Sequence, residues 1–186
     1  MNCGDSIRVV HTLFQEEDDG SIPISPLQLS INKMPKELAK ELNELWHSRL
    51  PDISNWNNCE CYGADYKNRY YAVAMWSIPS ARALNGRGWW EMRRMAIAPD
   101  APKNTASRML KIMRLLILKE KPTINKLISY QDTDVHNGTI YKSSGWVVGN
   151  IGERIDETQK YNNWKTRPGR KNQSTAPKIR WEYDLI

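Results

Sequence analysis

The chain has 186 residues and a formal net charge of +6, from 27 Lys and Arg against 21 Asp and Glu. Hydrophobic residues make up 40% of it, which is enough to build one globular core. No apolar run approaches the roughly 18 residues that span a bilayer, so the sequence excludes a protein anchored by a spanning helix. We expect a cytoplasmic protein with no membrane partner, and the positive charge is compatible with a polyanionic one.

The aromatic residues and cysteines are unevenly used. Eight Trp and eight Tyr accompany one Phe, and Trp and Tyr suit half-buried grooves as well as cores. Three Cys are present, of which Cys59 and Cys61 in "CEC" fall on one face of a predicted strand. We interpret them as reduced packing thiols, because two neighbouring Cys are too few for a zinc site.

The first half of the chain predicts a strand, a helix and three strands. Residues 1–24 are interpreted as an irregular N-terminal segment, and "SPLQLSIN" alternates as a half-buried strand does. A helix is expected over "MPKELAKELNELWHSRLP", where Leu38, Leu42, Leu45 and Trp46 recur at spacings of three and four. Three strands follow, "CYGADY", "RYYAVAMWSIP" and "WWEMRRMAIAP".

The second half alternates helices and strands. Residues 104–120 predict a helix capped by Asn104 or Thr105, and a strand "NKLISYQDT" and a short helix over 137–144 follow. The last strands are "WVVGNI" and the one within residues 176–186, separated by a polar, basic and mobile loop over 154–175. This order predicts one domain over residues 1–186, of α+β (mixed α/β) class, with a single mixed sheet and helices on both faces.

The turn "PDAPKNTAS" joins a predicted strand directly to a predicted helix. The first N–H groups of a helix lack intrahelical partners and lie at the positive end of its dipole. An anion placed at this turn would therefore be bound by backbone alone. The turn predicts a phosphate-binding site.

The segment "NGTIYKSSGW" resembles the part of the GNAT acyltransferase superfamily where an Asn begins a short helix, a Tyr lies near its end and a Gly-aromatic pair follows. The resemblance implies an acetyl-CoA or related acyl-CoA cofactor and makes Tyr141 the proton donor near its sulfur. It also implies cofactor contacts from the strand amides and from the phosphate turn: Met95, Ala96, Ile97, Lys103, Asn104, Thr105, Ala106 and Ser107. The usual Gly-x-Gly turn of that superfamily is replaced here by "APKNTAS".

Three motifs together, "RRMAIAPDAPKNTASR", "SYQDT" and "GTIYKSSGW", resemble the Mom family of bacteriophage DNA-modification proteins over roughly residues 30 to 150. That resemblance implies a GNAT-like enzyme that converts adenine in DNA to N6-(carbamoylmethyl)adenine and so blocks restriction enzymes. The residues that match functional positions of the family are Arg94, Ser107, Asp132 and Tyr141.

Each matched residue also has a structural interpretation. Arg94 either holds an anion bidentately beside the phosphate turn or is an exposed strand residue. Asp132 acts as a general base or a metal ligand, or it forms the turn "QDTD". Tyr141 donates a proton or packs in the core. We also assign His47, at the end of the first helix, a catalytic role, and we assign no metal site.

The loop "YNNWKTRPGRK" combines aromatic rings with positive charge, which suits nucleic acid. We expect double-stranded DNA as the partner, and a homodimer is one compatible assembly. The alternatives are an acyl-CoA-dependent N-acetyltransferase acting on a small amine, a protein or a hypermodified base, and a DNA-binding relative without catalysis. The residues predicted to contact DNA are Trp164, Lys165, Arg167, Arg170 and Lys171.

Overall fold

A computed structural model describes residues 21–47, 58–154 and 176–185. Its strands are β1 (Ser30–Lys33), β2 (Cys59–Tyr66), β3 (Arg69–Ser77), β4 (Trp89–Ile97), β5 (Lys126–Asp132), β6 (Val147–Ile151) and β7 (Lys178–Asp184). Its α-helices are α1 (Lys36–Trp46), α2 (Thr105–Glu120) and α3 (Thr139–Lys142). Two 3-10 turns lie at Pro26–Gln28 and Arg82–Leu84. The predicted order of strands and helices is confirmed.

The strands form one seven-stranded sheet in the order β1-β2-β3-β4-β5-β7-β6. All neighbouring pairs are antiparallel except β4 and β5, which are parallel and connected through α2. The tight turn between β2 and β3 places Lys67 and Asn68 at positive φ, as a two-residue hairpin requires. The predicted α+β fold with a mixed sheet is therefore confirmed.

Helices cover both faces of the sheet. The α2 face, defined here as the side that carries α2 and α3, buries Met109, Leu110, Met113 and Ile117 completely. The opposite side, the α1 face, packs Ala39, Leu38 and Leu42 against Val73 and Met75. Each fully buried side chain of this size stabilises the fold by roughly 1.5–3 kcal/mol.

Two local expectations were wrong. Pro26–Gln28 form a 3-10 turn rather than part of a strand, because Pro26 begins the turn and the N-cap Ser25 forms a capping box with Gln28. In α1, Leu45 is 73% exposed, whereas Asn43 and Ala39 are fully buried. The stripe that meets the sheet therefore runs through Ala39 and Asn43, with Leu38, Leu42 and Trp46 at its margins.

Among the described residues, no helix is long and apolar enough to cross a membrane. Cys59 and Cys61 lie on the same face of β2, with their sulfur atoms 3.8 Å apart, and neither forms a disulfide. Burial and the neighbouring Cys59 raise the pKa of the Cys61 thiol to about 12, so it stays protonated. The two cysteines fit the predicted role as packing thiols.

Candidate functional site

The sheet opens between its two parallel strands. The pairing of β4 with β5 starts at Trp89 and Lys126 and ends at Met92 and Ser129, although both strands continue beyond these residues. We call this point the fork. Beyond it β4 remains paired only with β3, and β5 only with β7. Beyond the fork, the facing edges of β4 and β5 carry backbone groups that are not paired with each other.

The backbone of β4 beyond the fork alternates in direction. The N–H of Ala98 donates to the carbonyl of Tyr71 on β3, so Ala96 is also directed towards β3. Met95 and Ile97 then present their N–H and C=O groups to the opening. Of the three strand amides predicted to contact the cofactor, the structure directs two to the opening and one, Ala96, away from it.

The start of α2 is uncapped, contrary to the sequence prediction. Asn104 has φ 68° and makes no side-chain cap, because an N-cap residue needs extended φ and ψ to reach the next amides. Thr105 instead donates its hydroxyl to the carbonyl of Pro102 at 2.7 Å. Among the described residues, the amides of Ala106 and Ser107 meet no acceptor. Together with exposed Lys103, these amides make the start of α2 positively charged, which suits the binding of an anion.

Helix α3 lies beside this terminus. The hydroxyls of Ser107 and Ser143 are 2.9 Å apart, and Ser144 donates to the carbonyl of Ser107. Gly138 begins α3 at φ +75°, and a Cβ there would lie 2.6 Å from both Gln131 and Trp181. Only glycine fits that position, and it allows α3 to approach β5 and β7 closely.

Tyr141 projects from α3 to the fork. Its ring stacks on Trp181 at 5.3 Å and 12° and meets the edge of Trp146. Its hydroxyl is 2.9 Å from that of Ser129, which lies 3.5 Å from the carbonyl of Met92. Burial raises the pKa of Tyr141, and the bond to Ser129 lowers it by less. A neutral phenol therefore lies beside Met92 and Ser129, the last residues that pair β4 with β5.

Asp132 lies on the other face. Along β5, Ser129 and Gln131 face α3, so alternation turns Asp132 to the α1 face, opposite Lys178 of β7. Its carboxylate accepts from Lys178 Nζ at 2.6 Å and from the N–H of Asp134 at 3.1 Å. Asp132 thus forms the predicted turn, and the structure does not bring it to the same face as Tyr141.

His47 is the C-cap residue of α1. Arg94 of β4 pairs with Met75 of β3, so it lies on the α1 face, close enough to His47 to affect its pKa. Burial lowers the pKa of His47 below its usual value, and the positive charge of Arg94 lowers it further. His136, in the loop after β5, lowers the same pKa by a smaller amount. His47 is therefore neutral near pH 7. Arg94, predicted beside the phosphate turn, instead lies on the face opposite α2.

The rim of the fork is the loop after β5. Residues Thr133 to Asn137 line an open hollow of about 430 Å³. The N–H of His136 donates to the carbonyl of Asp132, and Gln131 donates to the carbonyl of His136. Within the described part of the chain, no three His, Cys, Asp or Glu side chains group closely enough to hold a metal ion.

Sequence reasoning missed several residues of this arrangement. Ser129 and Gln131 occupy alternate positions of an apolar strand, and their inward direction is visible only once Tyr141 and Trp181 pack on them. Arg93 was also missed, although it adjoins Arg94 in the sequence. The predicted DNA contacts Trp164, Lys165, Arg167, Arg170 and Lys171 lie outside the described residues.

Solved structures with the same fold are acetyltransferases. An acetyltransferase from Bacillus subtilis in complex with CoA has a TM-score of 0.57 at 13% identity, covering 85% of this chain and 99% of that one. A GNAT family acetyltransferase from Elizabethkingia anophelis with acetyl-CoA bound has a TM-score of 0.54 at 14% identity, covering 84% and 98%. The ribosomal-protein-S18-alanine N-acetyltransferase of Escherichia coli has a TM-score of 0.57 at 11% identity, covering 84% and 94%.

These similarities establish the fold of the chain as that of the GNAT acetyltransferases. No curated protein matches the chain in sequence. A sequence model of the Mom protein family matches residues 28–182. Because that match spans most of the chain, the protein belongs to the Mom protein family.

Proposed function

We propose that the protein is a DNA-modifying transferase that attaches a carbamoylmethyl or related acyl-type group to N6 of adenine. One observation carries the proposal. The fork separates a bare, positive helix terminus on the α2 face from polar side chains on the α1 face, where Arg94 lies close enough to His47 to lower its pKa and Asp132 lies at the end of β5. An enzyme that joins a phosphate-bearing donor to a nucleobase needs both arrangements, and family membership supports the same chemistry.

The α2 face suits the phosphates of an acyl-CoA. The amides of Ala106 and Ser107 are positive and unengaged by the described residues, and Lys103 adds a charge beside them. The backbone groups of Met95 and Ile97 would hydrogen-bond an extended amide-containing arm that enters the fork. When bound, an acyl-CoA would supply an activated carbonyl carbon, so attack by N6 would give an acyl group on N6 and free CoA. A carbamoylmethyl product, joined through a methylene carbon, would require a donor activated at that carbon and a source of the amide nitrogen. Donor and acceptor would then approach each other from opposite faces.

The α1 face suits the acceptor. Adenine in duplex DNA exposes N6 fully only when the base leaves the stack. Neutral His47 can take up a proton from N6. Asp132 lies on the same face, paired with Lys178, and its carboxylate can accept a hydrogen bond from the amine. The phenol of Tyr141, kept neutral by burial, can give a proton to the leaving group at the fork.

The basic loop is expected to hold the DNA backbone. Its two ends lie at the rim, because Arg154 pairs with Asp134 at 3.0 Å and Thr133 donates to the carbonyl of Pro177. Replacing Arg167 and Arg170 together by Ala should weaken DNA binding most at low salt. Fluorescence anisotropy across a salt series measures this, and equal binding at every salt concentration would remove the loop from the proposal.

Mass spectrometry of nucleosides tests the function. Plasmid DNA from cells that express the protein should contain an adenine nucleoside of raised mass, absent from cells that express Asp132→Ala. Fragmentation separates a carbamoylmethyl group, joined to N6 through a methylene carbon, from an acyl group joined through a carbonyl carbon. Unmodified DNA from cells with abundant folded protein would contradict the proposal.

A second candidate is an acyl-CoA-dependent N-acetyltransferase that acts on a small amine, a protein or a hypermodified base. The uncapped terminus of α2 favours it, together with the CoA and acetyl-CoA in two structures of the same fold. Incubation of the purified protein with acetyl-CoA and a panel of amines separates the two candidates. Release of free CoA with an amine and no change in DNA would favour this second function.

A further inference from the structure

A β-bulge lies at the fork and changes the direction of two arginines. Across β3, Trp76 pairs with Met92 and Met75 with Arg94, so Arg93 is the extra residue on β4. Arg93 directly follows Met92, the last β4 residue that pairs with β5. Bulges re-aim side chains and often adjoin active sites. This bulge begins where the two parallel strands separate.

The bulge puts two consecutive arginines on the α1 face, which regular alternation would forbid. Glu91 opposes Ser77, and Arg94 opposes Met75 two residues earlier on β3, so these two share the face. Arg93 joins them because its Nε lies 3.2 Å from a carboxylate oxygen of Glu91. The carbonyl of Arg93 accepts from the guanidinium of Arg94 at 2.7 Å.

Glu91 is a buried support for this pair. Its side chain belongs to a residue only 4% exposed and accepts from the N–H of Ser80 at 2.8 Å and its hydroxyl at 3.1 Å. A buried carboxylate is costly unless it is paired and hydrogen-bonded. Here both conditions are met, and the result is to fix the direction of Arg93.

We infer that Arg93 and Arg94 form a phosphate site that holds a phosphodiester of the acceptor DNA beside the target nucleotide. The inference rests on the proposed function and names the contact that positions its substrate. A planar guanidinium matches phosphate oxygens bidentately, and backbone contacts fix register when a base is flipped. The donor's phosphates have their own site at the start of α2 on the other face. The fork then has one anion site for each substrate.

The test compares DNA and CoA binding in single variants of the full chain. Fluorescence anisotropy with a labelled adenine-containing duplex across a salt series measures DNA binding, and calorimetry with CoA measures donor binding. Arg93→Ala and Arg94→Ala should each weaken DNA binding about tenfold at low salt, as loss of a charged hydrogen bond does. Each should also lower the salt slope by about one, with CoA binding unchanged.

Two further variants make the result specific. Arg82→Ala removes an exposed arginine outside β4 to which the inference assigns no phosphate contact, so it should leave DNA binding within about twofold of wild type. Arg93→Lys keeps the charge and should restore the salt slope but not the full affinity. If an Ala variant unfolds at a lower temperature than wild type, DNA binding by Arg93→Lys is compared with wild type instead.

The possible failures are distinguishable. If the wild type binds DNA and modifies it, but Arg93 and Arg94 variants match Arg82→Ala, the phosphate site is wrong and the proposed function stands. If the variants lose CoA binding and keep DNA binding, the arginines serve the donor. If the wild type binds no DNA, both the site and the proposed function fail.

Discussion

The two faces of the fork are built differently. On the α2 face, Tyr141 is only 6% exposed and is fixed between Trp181, Trp146 and Ser129. On the α1 face, Asp132 and Lys178 form a partly exposed ion pair beside the open loop after β5. A single break in strand pairing therefore has a closely packed, apolar region on one side and a charged, accessible one on the other. We associate the first with the donor and the second with the DNA.

The largest expected effect is on the packing of the α2 face. Gly138→Ala introduces a Cβ 2.6 Å from Gln131 and Trp181 at a positive φ, and should lower the free energy of unfolding by at least about 3 kcal/mol. Gly86→Ala is the matched control, because Gly86 also has a positive φ but no atom within 4 Å of the new Cβ. It should cost about 1 kcal/mol. Urea unfolding measures both, and equal losses would show that α3 is not tightly packed.

The next effect concerns the α1 face. Asp132→Ala should reduce transfer about 1,000-fold if the carboxylate assists proton removal. Stability should fall by no more than about 1 kcal/mol, because the ion pair with Lys178 is partly exposed. Asp184→Ala removes another carboxylate of the same face, at the far end of β5, and should keep its activity. Nucleoside quantification measures both, and similar yields would exclude a catalytic role for Asp132.

A smaller loss of transfer rate is expected when the aromatic ring of Tyr141 is kept and its hydroxyl is removed. Tyr141→Phe should lower the transfer rate about 100-fold, because the leaving group loses its proton donor. Tyr183→Phe serves as the control, since Tyr183 packs in the same aromatic group through its ring. Single-turnover rates distinguish the two variants. A Tyr141→Phe enzyme as fast as the control would leave Tyr141 with packing alone.

The smallest effect is a shift in pH dependence caused by the charge of Arg94 near His47. A base needs neutral His47, so the rate should fall as pH drops below its pKa, which burial and Arg94 hold below 6.5. Arg94→Gln removes the positive charge, so the pKa of His47 should rise and the acid limb should move to higher pH. The pH profile of kcat checks this. If the acid limb of the pH profile stays at the same pH in Arg94→Gln, then either His47 is not the base or Arg94 does not lower its pKa.

Much of the fold could be predicted because its patterns are local. Spacings of three and four residues mark α2, and alternation with a polar two-residue turn marks β2 and β3. The helix that carries Ser107 and the short helix that carries Tyr141 were also predicted from local patterns. These features depend on a few adjacent residues, which the sequence displays directly.

The remaining features depend on contacts between distant segments. The bulge at Arg93 changes the face of Arg94 without any Gly or Pro signal in "EMRRMAI". The left-handed Asn104 is likewise set by the turn around it, so the sequence predicted a cap where the helix has none. The separation of Asp132 from Tyr141 follows from alternation along β5 together with the packing of α3 on the side of Ser129, and that packing is a contact between distant segments.

The placement of the two substrates on opposite faces can be tested in a crystal structure with CoA and an adenine-containing oligonucleotide. We predict the pyrophosphate of CoA at the amides of Ala106 and Ser107 on the α2 face. We predict the flipped adenine on the α1 face, with N6 beside His47 and the CoA sulfur reaching it at the fork. Both ligands on the same face of the sheet, or an adenine bound away from the fork, would contradict it.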